Sequence, residues 1–194
     1  MDDARRRGRR TLLTVAAVFL LPLAVAFALY YGQLWRPANS SNKGQLIDPP
    51  RTLVVQGLRL PDGQPAGANV FLDKWSVVYV GDGACDAACS AALVIGRQSR
   101  LALNNEMKRV QRVFLATDNC CAGDYFAAEQ AGLVALDASS PEATALLAQF
   151  PAERSGALFV VDPLGNLMMR HDATTMTKDL LTDLKKLLKL SHIG

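Results

Sequence analysis

The chain has 194 residues, half of them hydrophobic, which is enough for one domain of ordinary size and a targeting segment. Its net charge of +3 belongs to the N-terminus: residues 1–36 carry six of the 21 basic and two of the 18 acidic residues, leaving fifteen against sixteen, or −1. That balance removes the case for nucleic-acid binding.

Arg5, Arg6, Arg7, Arg9 and Arg10 precede an uncharged run from Leu12 to Tyr31 that holds eleven Leu, Val or Phe residues. As a helix, such a run spans roughly 30 Å, the thickness of the bilayer hydrocarbon core. The arginines hold the N-terminus in the cytoplasm, so the chain from Trp35 onward is expected outside. Tyr30, Tyr31 and Trp35 suit the far headgroup layer, and Pro22 is tolerated within the span. Ala24-Val25-Ala26 resembles a signal-peptide cleavage site. The apolar run continues past it into interfacial aromatics, so an uncleaved anchor is expected. The resulting division is a basic cytoplasmic segment 1–10, a lipid-contacting span 11–33, a linker 34–52 and a domain 53–194.

The linker reading rests on Pro37, Asn39, Ser40, Ser41, Asn42, Lys43, Gly44 and Pro49-Pro50. Thr52–Leu60 and Gly67–Leu72 read as short strands around a Pro-Asp-Gly turn. Ser76–Val80 is a continuous apolar run suited to a strand buried on both faces. A Gly-Asp-Gly turn and a helical stretch from about Ala84 to Met107 follow it. Arg112–Thr117 is a second buried strand, with a helix near Tyr125–Gly132 beyond it. Pro141–Phe150 reads as a short helix capped by Ser139 or Ser140. Ala157–Val161 and Leu167–His171 flank a tight turn at Asp162–Asn166. The last helix, Thr175–Leu190, carries Leu180, Leu181, Leu184, Leu187 and Leu188 in one stripe. A parallel βαβ unit followed by a hairpin and a closing helix predicts an α/β domain of thioredoxin-like architecture.

Chemistry concentrates in four cysteines, which an exported protein keeps paired, metal-bound or deliberately reduced. Cys85 and Cys89 lie where the first buried strand passes into its helix, at the sheet edge where α/β proteins build their sites. On one helix their Cβ atoms would stand about 5–6 Å apart, so a disulfide needs some distortion, whereas two thiolates could hold Cu(I) without it. The helix N-terminus favours the Cys85 thiolate, and Asp86 opposes it. Cys120 and Cys121 follow the next strand and become accessory thiols on the same edge if the two strands are neighbours. A bond between adjacent cysteines is strained, so exchange with Cys85 or Cys89, or shared metal ligation, is the expectation for them. The two histidines, His171 and His192, read as surface or hydrogen-bonded residues. Met168 and Met169 point to opposite strand faces, so at most one can face a site.

With these residues in view, the domain resembles the SCO/SenC family of cytochrome c oxidase assembly factors over roughly residues 50–190. Trp75–Val80 leading into Cys85-x-x-x-Cys89, the strand ending in Ala116-Thr117-Asp118, and Phe159-Val160-Val161-Asp162-Pro163-Leu164-Gly165 carry the resemblance. It implies a thioredoxin-like protein on the outer side of the plasma (inner) membrane, serving the copper centre of a respiratory oxidase. A cytochrome c oxidase subunit or a copper chaperone would be its partner. Cys85 would be the attacking sulfur or first copper ligand, and Cys89 the resolving sulfur or second ligand. The family's copper site adds a histidine several residues before the Asp-Pro-x-Gly turn. Counting back from Asp162 reaches Arg154 or Ser155, and residues 150–160 hold no His. The proline that often follows the first cysteine is absent at Asp86-Ala87, and the thioredoxin proline is absent at Ser155-Gly156. The resemblance therefore implies thiol–disulfide exchange or transient Cu(I) handling rather than stable Cu(II) binding. A general exported thiol–disulfide oxidoreductase and a non-catalytic thioredoxin-like binding module are the competing functions.

Overall fold

The structure, a computed structural model, describes residues 2–32, 41–121, 124–191 and 193. The chain divides into two compact units, Met1–Ser41 and Asn42–Gly194. Trp35, most of the first half of the expected linker, and His192 lie outside the described residues.

Among its described residues the first unit holds one helix, α1 (Asp2–Tyr31), which runs through Pro22. Its segment Arg5–Tyr31 is long and apolar enough to cross a membrane. Leu12, Phe19 and Leu20 stand exposed on it, as a lipid-facing helix requires.

The second unit is built on six strands: β1 (Gln45–Thr52), β2 (Trp75–Gly81), β3 (Val110–Ala116), β4 (Leu133–Asp137), β5 (Leu158–Val161) and β6 (Asn166–His171). They form one sheet in the order β1-β6-β5-β2-β3-β4. β2, β3 and β4 run parallel, while β5 is antiparallel to β2 and forms a hairpin with β6. Val77, Tyr79, Phe114 and Val160 meet the apolar faces of α2 (Ala87–Leu101) and α5 (Thr177–Leu190) on one side. Val78, Val80, Val113, Leu115 and Phe159 face the other side. The alternation follows from the two-residue repeat of a strand, and both faces are apolar because both are covered.

The cover on the second side differs from the expectation. Thr52–Leu60 and Gly67–Leu72 form only isolated bridges, Arg59 with Pro65 and Asp137, and Leu72 with Leu164. They act as an irregular layer that buries Leu53, Leu58 and Phe71 against the sheet. Gln45–Thr52, expected as linker, is instead an edge strand, whose register shifts between Leu46 and Arg51 around Pro49-Pro50. Proline has no ladder donor, so the edge is the one place where this segment can pair. β4 went unread because it is a five-residue, half-exposed edge strand. The helix expected before it is the short α3 (Asp124–Glu129). Pro141–Phe150 begins as a 3-10 turn, with the Ser140 hydroxyl accepting from the Ala143 amide, and continues as α4 (Thr144–Leu147).

Candidate functional site

β2 and β3 are neighbours in parallel register, with Gly81 opposite Ala116, so the loops that leave them share one sheet edge. Four residues on from this pair stand Cys85 and Cys120. The two loops are laced together. The Thr117 amide donates to the Gly81 carbonyl at 2.9 Å, and the Gly83 amide to the Asp118 carbonyl at 2.9 Å. The Asn119 side-chain amide donates to Asp82 at 3.1 Å. A Cβ on Gly83 would collide with the Asn119 carbonyl, so glycine is required for this close approach. Asp82 also accepts from the Ala84 amide, and these two bonds, Ala84 first, hold its carboxyl below the ordinary range.

The first expectation needs correcting in its geometry. Cys85 is not on the helix. It sits one residue before the cap in a left-handed turn, φ 47°, and Asp86 is the N-cap of α2. The Asp86 carboxylate accepts from the Cys89 amide at 2.8 Å, which places Cys89 in the first turn. The turn brings the Cα atoms of Cys85 and Cys89 to 5.1 Å, within disulfide range, and the two sulfurs are bonded. The helix does not have to distort, because only one of the two cysteines belongs to it.

Cys120 and Cys121 are bonded to each other, the pairing that the strain between adjacent cysteines had argued against. The backbone is left-handed at Asn119 (φ 46°) and Cys121 (φ 62°). That tight winding turns the adjacent side chains together. Cys85 and Cys120 both pack against the core cluster under α2. Cys85, Cys120 and Cys121 are half-buried, whereas Cys89 is buried.

The Cys85–Cys89 bond borders a cavity of about 410 Å³, whose walls include Tyr79, Asp82, Asp86, Thr117, Arg154 and Ser155. None of these six was expected as a site residue, and Tyr79 and Arg154 are the two that bear most on its chemistry. Tyr79 is buried on β2, and its hydroxyl is pushed above the ordinary phenol range by burial, with the nearby Asp86 charge adding and the Gly156 amide opposing. Its apolar strand context gave no signal of this role. Arg154 was reached only by counting back from Asp162. Its guanidinium donates to the carbonyls of Pro151 at 2.9 Å and Leu147 at 2.7 Å, and the residue lines the same cavity as the two cysteines.

His171 is not at the surface. It is 1 % exposed, and its Nε2 lies 3.4 Å from a carboxylate oxygen of the equally buried Asp183. Asp183 accepts the backbone amides of Lys43 and Gly44 at 2.8–3.0 Å. Burial depresses the His171 pKa, and Asp183 partly offsets this. Met169 is buried beside Gly44 and His171. None of His171, Met168 and Met169 is among the residues lining the sulfur cavity.

Among the described residues, no group of three or more His, Cys, Asp or Glu side chains is arranged to hold a metal ion. A three-ligand copper centre of two sulfurs and a histidine does not fit this wall: the sulfurs are bonded to each other, and the other polar side chains lining the cavity are Tyr79, Asp82, Asp86, Thr117, Arg154 and Ser155, with no imidazole among them.

The parallel strands, the hairpin and a cysteine pair at the mouth of the sheet define a thioredoxin-like domain, here following an apolar helix. The chain belongs to the family described as transmembrane-like, thioredoxin-like, C-terminal domain, whose model matches residues 75–191. Residues 2–33 match the companion transmembrane-like N-terminal domain. Among solved structures, apo Sco1 from Thermus thermophilus is similar at 23% identity and TM-score 0.63, over 78% of this chain and 99% of that one. Copper-bound yeast Sco1 is similar at 14% identity and TM-score 0.60, over 79% and 96%. BsSco, a member of the Sco family of cytochrome c oxidase assembly proteins with an identified disulfide switch, is similar at 16% identity and TM-score 0.53, over 75% and 99%. At these identities the likeness establishes the fold, which is that of the Sco proteins. No curated protein sequence matches.

Proposed function

We propose that this protein is a membrane-tethered assembly factor for a respiratory cytochrome c oxidase that works by thiol–disulfide exchange at Cys85 and Cys89. Residues 1–10 would be cytoplasmic, 11–33 in the bilayer, and the domain on the outer face, where disulfides persist. The observation that carries the reading is a disulfide across the first turn of α2, with half-buried Cys85 beside an open cavity and Cys89 shielded.

In the reducing direction, the Cys85 thiolate attacks a client disulfide and displaces one client thiolate. The Cys89 thiolate then attacks Cys85 Sγ, releasing the second client thiol and restoring the Cys85–Cys89 bond. Two electrons pass to the client. Helix N-terminal amides favour the thiolates, and the Arg154 cation on the wall adds to that preference. The Asp86 carboxylate opposes it.

Copper is a conceivable cargo only for the reduced pair, as Cu(I) between two thiolates, a reading favoured by the shared fold with copper-bound Sco1. Exchange is the primary reading because the two sulfurs are bonded to each other and no imidazole lines their cavity.

The test is a Cys85→Ser/Cys89→Ser chain expressed in place of the natural one. Oxidase assembly and respiration should be lost while the variant still accumulates in the membrane. Undiminished oxidase activity in that strain rules the function out.

A further inference from the structure

We infer that Cys120–Cys121 is a second redox couple, which receives electrons from an exported dithiol protein and passes them across the loop contact to Cys85–Cys89. The inference rests on the Cys85–Cys89 pair being the working couple, and it adds the route by which that couple is recharged.

The first argument is that neither bond suits a structural role. A disulfide stabilises a fold mainly by closing a loop in the unfolded chain, and the effect grows with loop length. Cys85–Cys89 spans a sequence separation of 4 and Cys120–Cys121 a separation of 1, the smallest available. Two bonds that restrain so little chain stand on one edge, each at the end of a parallel strand.

The second argument is placement. Gly81 and Ala116 are opposed in register, and Cys85 and Cys120 each follow by four residues. The intervening backbones are bonded twice, Thr117 to Gly81 and Gly83 to Asp118. Asn119, next to Cys120, is fastened to Asp82 and seated against Gly83. These bonds tie the two loops together, and both Cys85 and Cys120 rest on the same core cluster.

The third argument is access. Cys120 and Cys121 are both half-buried and so keep part of their surface open to solvent, while Cys89 is only 2% exposed. Of the receiving bond, only Cys85 offers a sulfur to attack, and the group it releases, Cys89, sits in the first turn of α2 where a thiolate is stabilised.

The steps balance. The exported dithiol reduces Cys120–Cys121 and becomes a disulfide. The Cys120 thiolate then attacks Cys85 Sγ, forming a Cys85–Cys120 bond and releasing the Cys89 thiolate. The Cys121 thiolate attacks Cys120 Sγ, breaking that bond and releasing the Cys85 thiolate. Two electrons have moved between pairs, and the two protons lost by Cys120 and Cys121 are regained at Cys85 and Cys89.

The experiment uses the full chain in detergent micelles. Cys121→Ser leaves Cys120 as a single thiol on the loop that is bonded to the Cys85 loop. Alkylation and peptide mapping should find Cys85 joined to Cys120 in the monomer, with the alkylating label moved from Cys120 to Cys89. A fully labelled Cys120 beside an intact Cys85–Cys89 bond overturns the inference. A second variant, Cys89→Ser/Cys121→Ser, is oxidised with oxidised glutathione. It should yield the same intramolecular Cys85–Cys120 bond, and its failure to form counts equally against the route. Cys120→Ala/Cys121→Ala separates the two proposals. If dithiothreitol reduces its Cys85–Cys89 bond reversibly while neither trap forms, the relay falls and the proposed function stands. If that bond resists dithiothreitol, both fall.

Discussion

Two places in this domain hold ionisable chemistry, and they differ in access rather than in residue type. At the sulfur edge, Cys85 is half-buried beside a cavity, and its loop is held by bonds from the neighbouring loop. Under α5, His171 and Asp183 are each 1 % exposed, and the carboxylate is taken up by the Lys43 and Gly44 amides. A histidine beside an aspartate reads as a catalytic pair when only residue types are considered. Its burial makes it a fastening between the first residues of the domain and its last helix. The cysteines are placed at a mouth, the histidine in a wall.

That contrast predicts crossed effects. Cys85→Ser/Cys89→Ser should abolish redox function yet cost the fold less than about 2 kcal/mol, since the bond closes a short loop. Denaturant unfolding of the variant measures the cost, and a much larger loss would make the disulfide structural. Asp183→Ala should do the reverse. It removes the acceptor of the buried Gly44 amide and of the part-buried Lys43 amide, a loss of about 2 kcal/mol, while thiol chemistry at Cys85 persists. An unchanged unfolding midpoint would contradict the fastening role.

The smallest effect is with pH. Burial lowers the His171 pKa in the folded domain, so the unfolded chain takes up the proton first as pH falls. The stability this group contributes is fully present above its unfolded pKa, about 6.5, and is lost as pH falls through the lower folded value. The slope is at most about 1.4 kcal/mol per pH unit. Melting temperatures measured between neutral and mildly acidic pH should fall on acidification, and His171→Gln should flatten the trend. An equal slope in that variant would remove His171 as its source.

The sequence was legible where periodicity and burial agree. Trp75–Gly81, Val110–Ala116 and Leu158–Val161 are buried nearly throughout, so their continuous apolar runs read directly as central strands. The Leu180, Leu184 and Leu188 stripe likewise announced the closing helix. The edges were not legible. Leu133–Asp137 is short and half-exposed, and Gln45–Thr52 carries two prolines, so each lacks the pattern of a strand until a neighbour supplies its pairing. At the site, Cys85-x-x-x-Cys89 and its place at the strand end were visible. The left-handed residue that takes Cys85 off the helix was not, because a positive φ at a non-glycine residue leaves no mark in the sequence. The same holds for Cys121 and its bond to Cys120. Tyr79 and Arg154 come from distant segments, and only the folded sheet assembles them into one wall.

The most direct measurement is a redox titration of the full chain in glutathione buffers, with thiols trapped by alkylation and counted at each cysteine by mass. The account predicts that Cys85 and Cys89 pass reversibly and together between disulfide and dithiol without unfolding of the domain. A Cys85–Cys89 bond that stays closed across the series, or opens only when the domain unfolds, would contradict it.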